Sequence, residues 1–500
     1  MKLEIMYRDY VRCQVIGLTN EDKTKVYDYF SVFIPTARFM PTYKLGTFDG
    51  YKRYFTLTGL FYVNLLPELY SILDMSKYEV EEIYNEKLIK DECEFDEIDE
   101  DFLSDYCWPK GHRLEGQPVK LFDHQVDIAN ACLNNHRCIV EAATGAGKSA
   151  VALVLSKIVS KYGRFIIIEP NRDLTLQTAQ VFRDLGFTDV GVCGCGLREL
   201  DKRVTICTWQ TINSLEKRGK SRELDEDKQK LSAEELIQLV DGTVGLIVDE
   251  AHTIKGYLLG KMMETSFKDV PIRWGLTGTI PKAKADYYAV ITALGPVVHH
   301  LGSKELQDKG ILAKCNISAI RLDDKLEFRD YSDELEYLST NYDRLKFIGT
   351  LIHNITQTSG NSLVLVNRIK CGEILEKVIN GLGTNCIYID GSVNSKKRFK
   401  EYESIKTENN KCLIATRKIA EAGLDIPRLF NLVLLDFGKS FISTIQSIGR
   451  GLRLGKDKSS VNVFDIFSTT PFSKKHFNDR VHFYYEKEFP LKVLDVDKWK

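Results

Sequence analysis

The sequence predicts an α/β protein: two tandem doubly wound domains, each built on a parallel sheet, preceded by a small α+β domain. Three observations carry that expectation. Two successive sets of five short β-rich runs alternate with helical patterns, the signature of parallel sheets covered by helices. A Gly-rich turn, AATGAGKS, joins the apolar run CIVEA to the apolar helical stretch AVALVLSKIV. The first hundred residues instead show period-two alternation and turn chemistry without such repeats.

The chain has 500 residues, enough for about three domains, and a net charge of −1 that gives no global basic signature. Any nucleic-acid contact must therefore use local patches. Twelve cysteines are scattered through apolar segments without metal-ligand spacing, and most read as core residues of a reduced, intracellular protein. Cys193-Gly194-Cys195 is the one close pair and reads as a loop thiol pair. MKLEIMYRDY lacks a signal-peptide pattern, and no apolar run is long enough to span a bilayer, so a soluble, cytoplasmic protein without a membrane partner is expected.

In chain order, residues 1–85 are expected to form the α+β domain. MKLEIMYRDYVRCQVIG alternates like a strand, EDKTKVYDYFSVF resembles a short helix, and ARFMPTYKLGTFDGYKRYFTL has the chemistry of a β-meander. Residues 86–110 are expected to be an acidic linker. The acidic run from Glu81 to Asp105 reads as a solvated helix running into that linker, since like charges spread a chain. The first large domain, 111–302, takes CIVEA, RFIIIEP, VTICT, GLIVDE and RWGLTG as strands. The charged stretch EKRGKSRELDEDKQKLSAEEL reads as an exposed insertion between VTICT and GLIVDE. A seam falls at Leu301 to Lys314. The second large domain, 303–500, takes SLVLVN, CIYID, KCLIAT, LVLLDF and VNVFDIF.

The chemistry-bearing residues sit at strand ends. In the turn before AVALVLSKIV, backbone N–H groups of Thr144, Gly145, Ala146 and Gly147 would face phosphates, Lys148 would reach the β and γ oxygens, and Ser149 would hold Mg²⁺. GLIVDEAH runs a strand into Asp249, suited to the metal, and Glu250, suited to deprotonating a water. In LFDHQ, the Gln125 amide can pair with an adenine edge. Arg450 and Arg453 in QSIGRGLR share a helix face and suit a transferring phosphoryl group. ATP and Mg²⁺ are the expected cofactors.

Taken in order, LFDHQ, ATGAGKS, PNRDLTLQ, TWQT, DEAH, LTGT, IATRKIAEAGLDIP and QSIGRGLR resemble a superfamily-two helicase with a DEAH box. That resemblance implies two RecA-like domains with the ATP site between them. It implies that Phe122, Gln125, His252, Gly423 and Asp425 serve the nucleotide, and that Thr277, Thr279 and Gln446 couple hydrolysis to movement. Pro170, Asn171, Arg172, Gln177, Thr208, Trp209, Asn367, Gly391 and Thr416 would face the nucleic-acid strand. The family usually has Thr where this chain has Asn171, whose amide can also donate to a phosphate.

The stretch FIPTARFMPTYKLGTFDGYKRYFTL is similar to the N-terminal module of phage UvsW-type helicases. This implies an ATP-driven, monomeric motor that remodels branched DNA by junction migration, fork regression and unwinding of displacement or RNA loops. Its partners would be branched, single- or double-stranded DNA and RNA–DNA hybrids. Lys52 and Arg53, interleaved with aromatics, are the module's candidate DNA contacts. Two other readings share the motor motifs: an RNA-remodelling or RNA-sensing ATPase, and the translocase subunit of a restriction-type nuclease.

Overall fold

The computed structural model describes residues 1–85, 88, 94–109, 114–219, 226–255, 257–311, 314–390, 401, 404–405, 408–416, 428–435, 460–486 and 488–496. The chain divides into two compact units: Met1–Ala142 with Gly147–His300, and Leu301–Lys500 with the loop Ala143–Ala146.

The N-terminal region contributes β1 (Lys2–Tyr7), β2 (Arg12–Ile16), β3 (Ser31–Phe33), β4 (Tyr51–Arg53), β5 (Leu60–Tyr62) and β6 (Glu79–Ile83). Four of these form a sheet in the order β5-β2-β1-β6, while β3 and β4 pair separately. Thr19 caps the helix Asn20–Tyr29 by accepting from the Asp22 N–H, as a threonine before an acidic first turn favours. Two expectations fail here. The meander reduces to the single strand β4, because Pro35 and Pro41 each start a short helical turn, Pro35–Phe39 and Pro41–Lys44, ahead of it. The acidic run does not begin as a helix: Glu79–Ile83 pairs in parallel with β1, where Lys2 bridges Glu4 and Glu81. A strand wins because it completes the sheet edge.

The same unit continues with β7 (Arg137–Ala142), β8 (Arg164–Glu169), β9 (Val190–Gly194), β10 (Leu197–Arg198), β11 (Val204–Thr208), β12 (Thr243–Asp249), β13 (Ile272–Thr277) and β14 (Val297–Leu301). They form one sheet in the order β10-β9-β11-β8-β12-β13-β7-β14. The pairings from β9 through β11, β8, β12 and β13 to β7 are parallel, and β9–β10 is an antiparallel hairpin. Central strands such as Ile166–Ile168 are buried on both faces, which is why they read as continuous apolar runs. The Gly-rich VGVCG of β9 did not read as a strand from sequence. Most of the expected insertion is the helix Glu226–Val240, which packs on the helix Trp209–Arg218 and buries Leu239.

The small domain is not a bead on a linker. Leu3, Ile5, Phe30, Phe61 and Leu69 belong to one continuous core with Val248, Met263, Phe267, Tyr288 and Ile291 of the motor sheet and its helices. Polar contacts join the same surfaces. The Tyr10 N–H donates to the Lys268 carbonyl at 3.1 Å, Arg137 donates to the Tyr10 carbonyl at 3.0 Å, and Asn64 donates to the Ile291 carbonyl at 3.1 Å. Glu264 receives Arg12 and, at 2.9 Å, the Tyr62 hydroxyl.

The second unit contains β15 (Lys314–Leu322), β16 (Ser362–Val366), β17 (Cys386–Ile389), β18 (Cys412–Thr416), β19 (Asn431–Leu435), β20 (Ser460–Ser468) and β21 (Leu491–Val496). Its sheet is wholly parallel in the order β17-β18-β16-β19-β20-β15-β21. All five expected strands are present; β15 and β21 extend the sheet beyond them. Inside it, Asp465 pairs with Arg480 at 2.8 Å and accepts from the Tyr484 hydroxyl, so a buried charge is compensated on both sides. Among the described residues no helix is long and apolar enough to cross a membrane.

Candidate active site and strand groove

Parallel strands place their C-terminal ends along one edge, where ligands of open α/β sheets bind. In the first sheet that edge carries Ala142, Glu169, Thr208, Asp249 and Thr277, the last residues of β7, β8, β11, β12 and β13.

From β7 the chain turns through Gly145 and Gly147, both left-handed with φ of 92° and 81°, into the helix Lys148–Val159. At Gly147 a Cβ would lie 2.0 Å from the Gln125 amide nitrogen, so only glycine fits. That contact holds Gln125 against the loop while its Oε1 accepts from the Phe122 N–H at 3.0 Å. Phe122 is 48% exposed and stacks on His124, leaving a ring face available beside the amide. Lys148 donates to the Ala142 carbonyl at 3.0 Å, and Ser149 is exposed at the helix start. The Thr144 hydroxyl is buried with no hydrogen-bond partner. A cradle of positive-φ glycines, a lysine at a helix start and an orphaned hydroxyl fits a nucleotide phosphate.

Glu250 has a φ of 50°, a conformation that non-glycine residues adopt at a cost and that clusters at functional sites. His252 Nδ1 lies 3.3 Å from the Glu250 carboxylate and 3.1 Å from the Thr277 hydroxyl, which donates to the Thr279 carbonyl at 2.9 Å. A continuous polar chain thus links the DEAH segment to the LTGT segment. One Asp249 oxygen is buried without a donor, an arrangement that suits a hard cation with retained waters.

Burial, then the Glu250 charge, pushes the Asp249 carboxyl up to about 6. Its folded value therefore lies above the unfolded one of about 3.9. The stability it contributes is complete below about pH 4 and is lost as pH rises through about 6. Asp249→Asn, which keeps the shape without the charge, is expected to melt a few degrees above the wild type at pH 7.5 without metal, at about 2–4 °C per kcal/mol. The two curves should converge near pH 4; thermal melts in chelator at both pH values check this.

A second feature lies along the same edge. Asn171 caps the helix Arg172–Asp184 by accepting from the Leu174 N–H at 3.0 Å, and Thr208 caps Trp209–Arg218 by accepting from the Thr211 N–H at 3.2 Å. Two helix N-termini thus flank a groove of about 630 Å³ lined by Asn171, Arg172 and Thr208 together with Cys195, Arg198 and Gln210. Helix N-termini and arginines suit a phosphate backbone. Gln210 also donates to the Pro170 carbonyl at 3.3 Å. Sequence reasoning missed Arg198, Gln210 and the Gly194-Cys195-Gly196 turn, where Cys195 has φ 56°. The Gly-Cys-Gly run was the available signal, read instead as a thiol pair.

Other expected strand contacts fall differently. Trp209 is half-buried and packs against the core, and the neighbouring Gln210 is exposed. Gln177 is exposed on its helix. In the second unit Val366 pairs with Thr416, so Asn367 and Thr416 lie side by side at a strand-end edge. Gly391, Gly423, Asp425, Gln446, Arg450 and Arg453 lie outside the described residues.

In the N-terminal module Lys52 and Arg53 are already engaged. The Lys52 ammonium sits 4.8 Å over the Tyr54 ring, and burial lowers its pKa. Arg53 pairs with Asp49 and lies over Tyr27 and Tyr51. Lys52 is half-buried against its ring, while Arg53 stays exposed at the surface in its pair with Asp49.

Two parallel-sheet units, a phosphate cradle and an acidic strand end followed by a coupled histidine and threonine define a superfamily-two helicase ATPase, and the chain belongs to that class. Residues 118–282 match the family described as the type III restriction enzyme res subunit, and residues 343–455 match the helicase conserved C-terminal domain. The chain is similar over nearly its whole length to the ATP-dependent DNA helicase uvsW of Enterobacteria phage T4, at 23% identity over 513 residues, covering 97% of this chain and 95% of the relative. Two solved structures share the fold. The Type ISP restriction-modification enzyme LlaBIII bound to DNA aligns with a TM-score of 0.55 at 15% identity, over 84% of this chain and 33% of that one. Dbp5 of S. cerevisiae bound to RNA and ADP BeF3 aligns with a TM-score of 0.52 at 17% identity, over 75% of this chain and 90% of that one. The protein is thus an ATP-dependent helicase related to the phage enzyme.

Proposed function

We propose that the protein is an ATP- and Mg²⁺-dependent DNA motor, acting as a monomer, that remodels branched DNA in recombination, repair and replication. Gln125 and Phe122 hold adenine, and the 144–147 amides with Lys148 hold the phosphates. Ser149 and Asp249 hold Mg²⁺, which when bound shields phosphate charge. Glu250 orients the attacking water and takes its proton, and Arg450 and Arg453 counter charge on the transferring phosphoryl group. The Glu250–His252–Thr277–Thr279 chain, with Gln446, transmits the state of the nucleotide. The strand lies in the groove of Asn171, Arg172 and Thr208 and along Asn367 and Thr416.

The observation favouring a branched substrate is the tip of the N-terminal module. Between β3 and β4 the chain leaves Phe39 80% and Leu45 77% exposed, beside the exposed cations Arg38 and Lys44. Large apolar groups held in water on proline-started turns suit exposed bases at a fork or junction, and flanking cations suit the phosphates. The near full-length similarity to the phage T4 DNA helicase includes this module.

Phe39→Ala with Leu45→Ala should weaken junction binding and unwinding by about tenfold or more, at about 1–3 kcal/mol for the lost Phe39 stacking contact alone. ATPase stimulated by simple single strands should persist. Unwinding of labelled forks, four-way junctions and R-loops, with ATPase on structured RNA alongside, tests the reading. Full junction activity in the double variant would refute the tip's role. Preference for structured RNA would favour an RNA-remodelling ATPase, and translocation without unwinding a restriction-type motor.

A further inference from the structure

The last residue of β8, Glu169, is a carboxylate set between Thr208 and Asp249 on the neighbouring strands. It is 3% exposed. Its Oε1 accepts from the Thr178 hydroxyl at 2.7 Å, but its Oε2 finds no donor. A buried carboxylate half satisfied by one neutral hydroxyl costs stability, so a purely structural role explains it poorly.

Its position says what the second oxygen faces. Ile168 pairs with Val248, so Glu169 comes alongside Asp249 at the strand ends. Ile166, Ile168, Leu246 and Val248 all enter the core shared with the N-terminal module. By strand alternation Glu169 and Asp249 point to the opposite face, the one covered by the helix that starts at Lys148. One Asp249 oxygen on that face also lacks a donor. The Glu169 and Asp249 carboxylates lie within hydrogen-bonding reach of each other, and two buried carboxylates that close need a shared proton, a cation or cation-bound water to offset their repulsion. Among the described residues no three acidic, histidine or cysteine side chains converge closely enough to hold an ion directly. The remaining route is through water, which Mg²⁺ sites commonly retain.

We propose that Glu169 is a positioning residue of the metal site: its unpaired oxygen accepts from a water on the divalent cation held at Asp249. The inference rests on the reading of Asp249 as the metal carboxylate. Thr178 orients Glu169 from the helix Arg172–Asp184, and Pro170 and Asn171, next in the chain, begin the strand groove. The carboxylate that supports the metal site is therefore the residue from which the groove departs.

The test is equilibrium Mn²⁺ binding to the full chain with ADP, read from the electron paramagnetic resonance signal of free Mn²⁺. Glu169→Ala and Glu169→Gln should each weaken Mn²⁺ binding roughly tenfold or more, and Glu169→Asp should recover part of the loss. Metal-free melting temperature and metal-free ADP affinity should not fall in Glu169→Gln, since a strut would move the first and leave Mn²⁺ affinity alone. Mn²⁺ affinity within about twofold of wild type in the Glu169 variants, with Asp249→Asn weakened, overturns the proposal. Unchanged affinity in Asp249→Asn overturns the underlying reading of the metal site, and this inference with it.

Discussion

Glu250→Gln is expected to lower DNA-stimulated ATP hydrolysis by about 10²–10⁴-fold while nucleotide still binds. The amide keeps the size and the left-handed backbone at φ 50° but cannot take a proton from water. Phosphate contacts from the Gly147 turn and Lys148 are untouched, so nucleotide affinity should stay near the wild-type value. Lys148→Ala provides the contrast, because it removes a phosphate contact and should weaken binding as well as turnover. Steady-state hydrolysis and titration with a fluorescent nucleotide separate the two. Near-normal turnover in Glu250→Gln would exclude it as the base.

Deleting residues 1–85 is expected to abolish folding of the motor unit rather than merely its junction activity. The module shares a core with the motor, and its removal would bare Val248, Met263, Phe267, Tyr288 and Ile291 together. At about 1.5–3 kcal/mol per exposed large apolar side chain, the loss rivals the whole stability of a domain, about 5–15 kcal/mol. The carboxylate of Glu264 would also lose Arg12 and Tyr62, and Tyr288 would lose its bond to Glu68. Expression of Δ1–85 beside the full chain, with melting curves and ATPase, checks this. A soluble truncation with cooperative melting and normal ATPase would show that the shared core is dispensable.

The shared core also has a mechanical side. Glu264 ends the helix that follows the DEAH segment, and Tyr288 and Ile291 lie on the helix Lys284–Leu294 that follows the LTGT segment. The module therefore grips the two helices that leave the catalytic strand ends, so a load on its tip bears directly on them.

How much of this was legible beforehand depended on the range of the interaction. AATGAGKS, DEAH and LTGT announce themselves because strand, turn and helix are contiguous and phosphate chemistry needs a fixed spacing. The ten principal strands read as apolar runs because parallel strands are buried on both faces. VGVCG was lost because glycine weakens the strand signal, and the Pro35 and Pro41 turns looked like sheet chemistry because proline serves turns and helix starts alike. Lys52 and Arg53 read as DNA contacts from composition, yet in the fold Lys52 lies over the Tyr54 ring and Arg53 pairs with Asp49.

The sequence by itself determined the class of protein, the two parallel-sheet units and the residues of the phosphate cradle, since each depends on neighbours along the chain. Only the tertiary structure decided that the N-terminal module shares the motor's core, that Lys52 packs against Tyr54 while Phe39, Leu45 and Arg53 stay exposed, and that Glu169 stands beside Asp249. Those facts depend on which strands lie side by side and which faces they bury, and residues 80 or more apart in sequence carry no local mark of meeting.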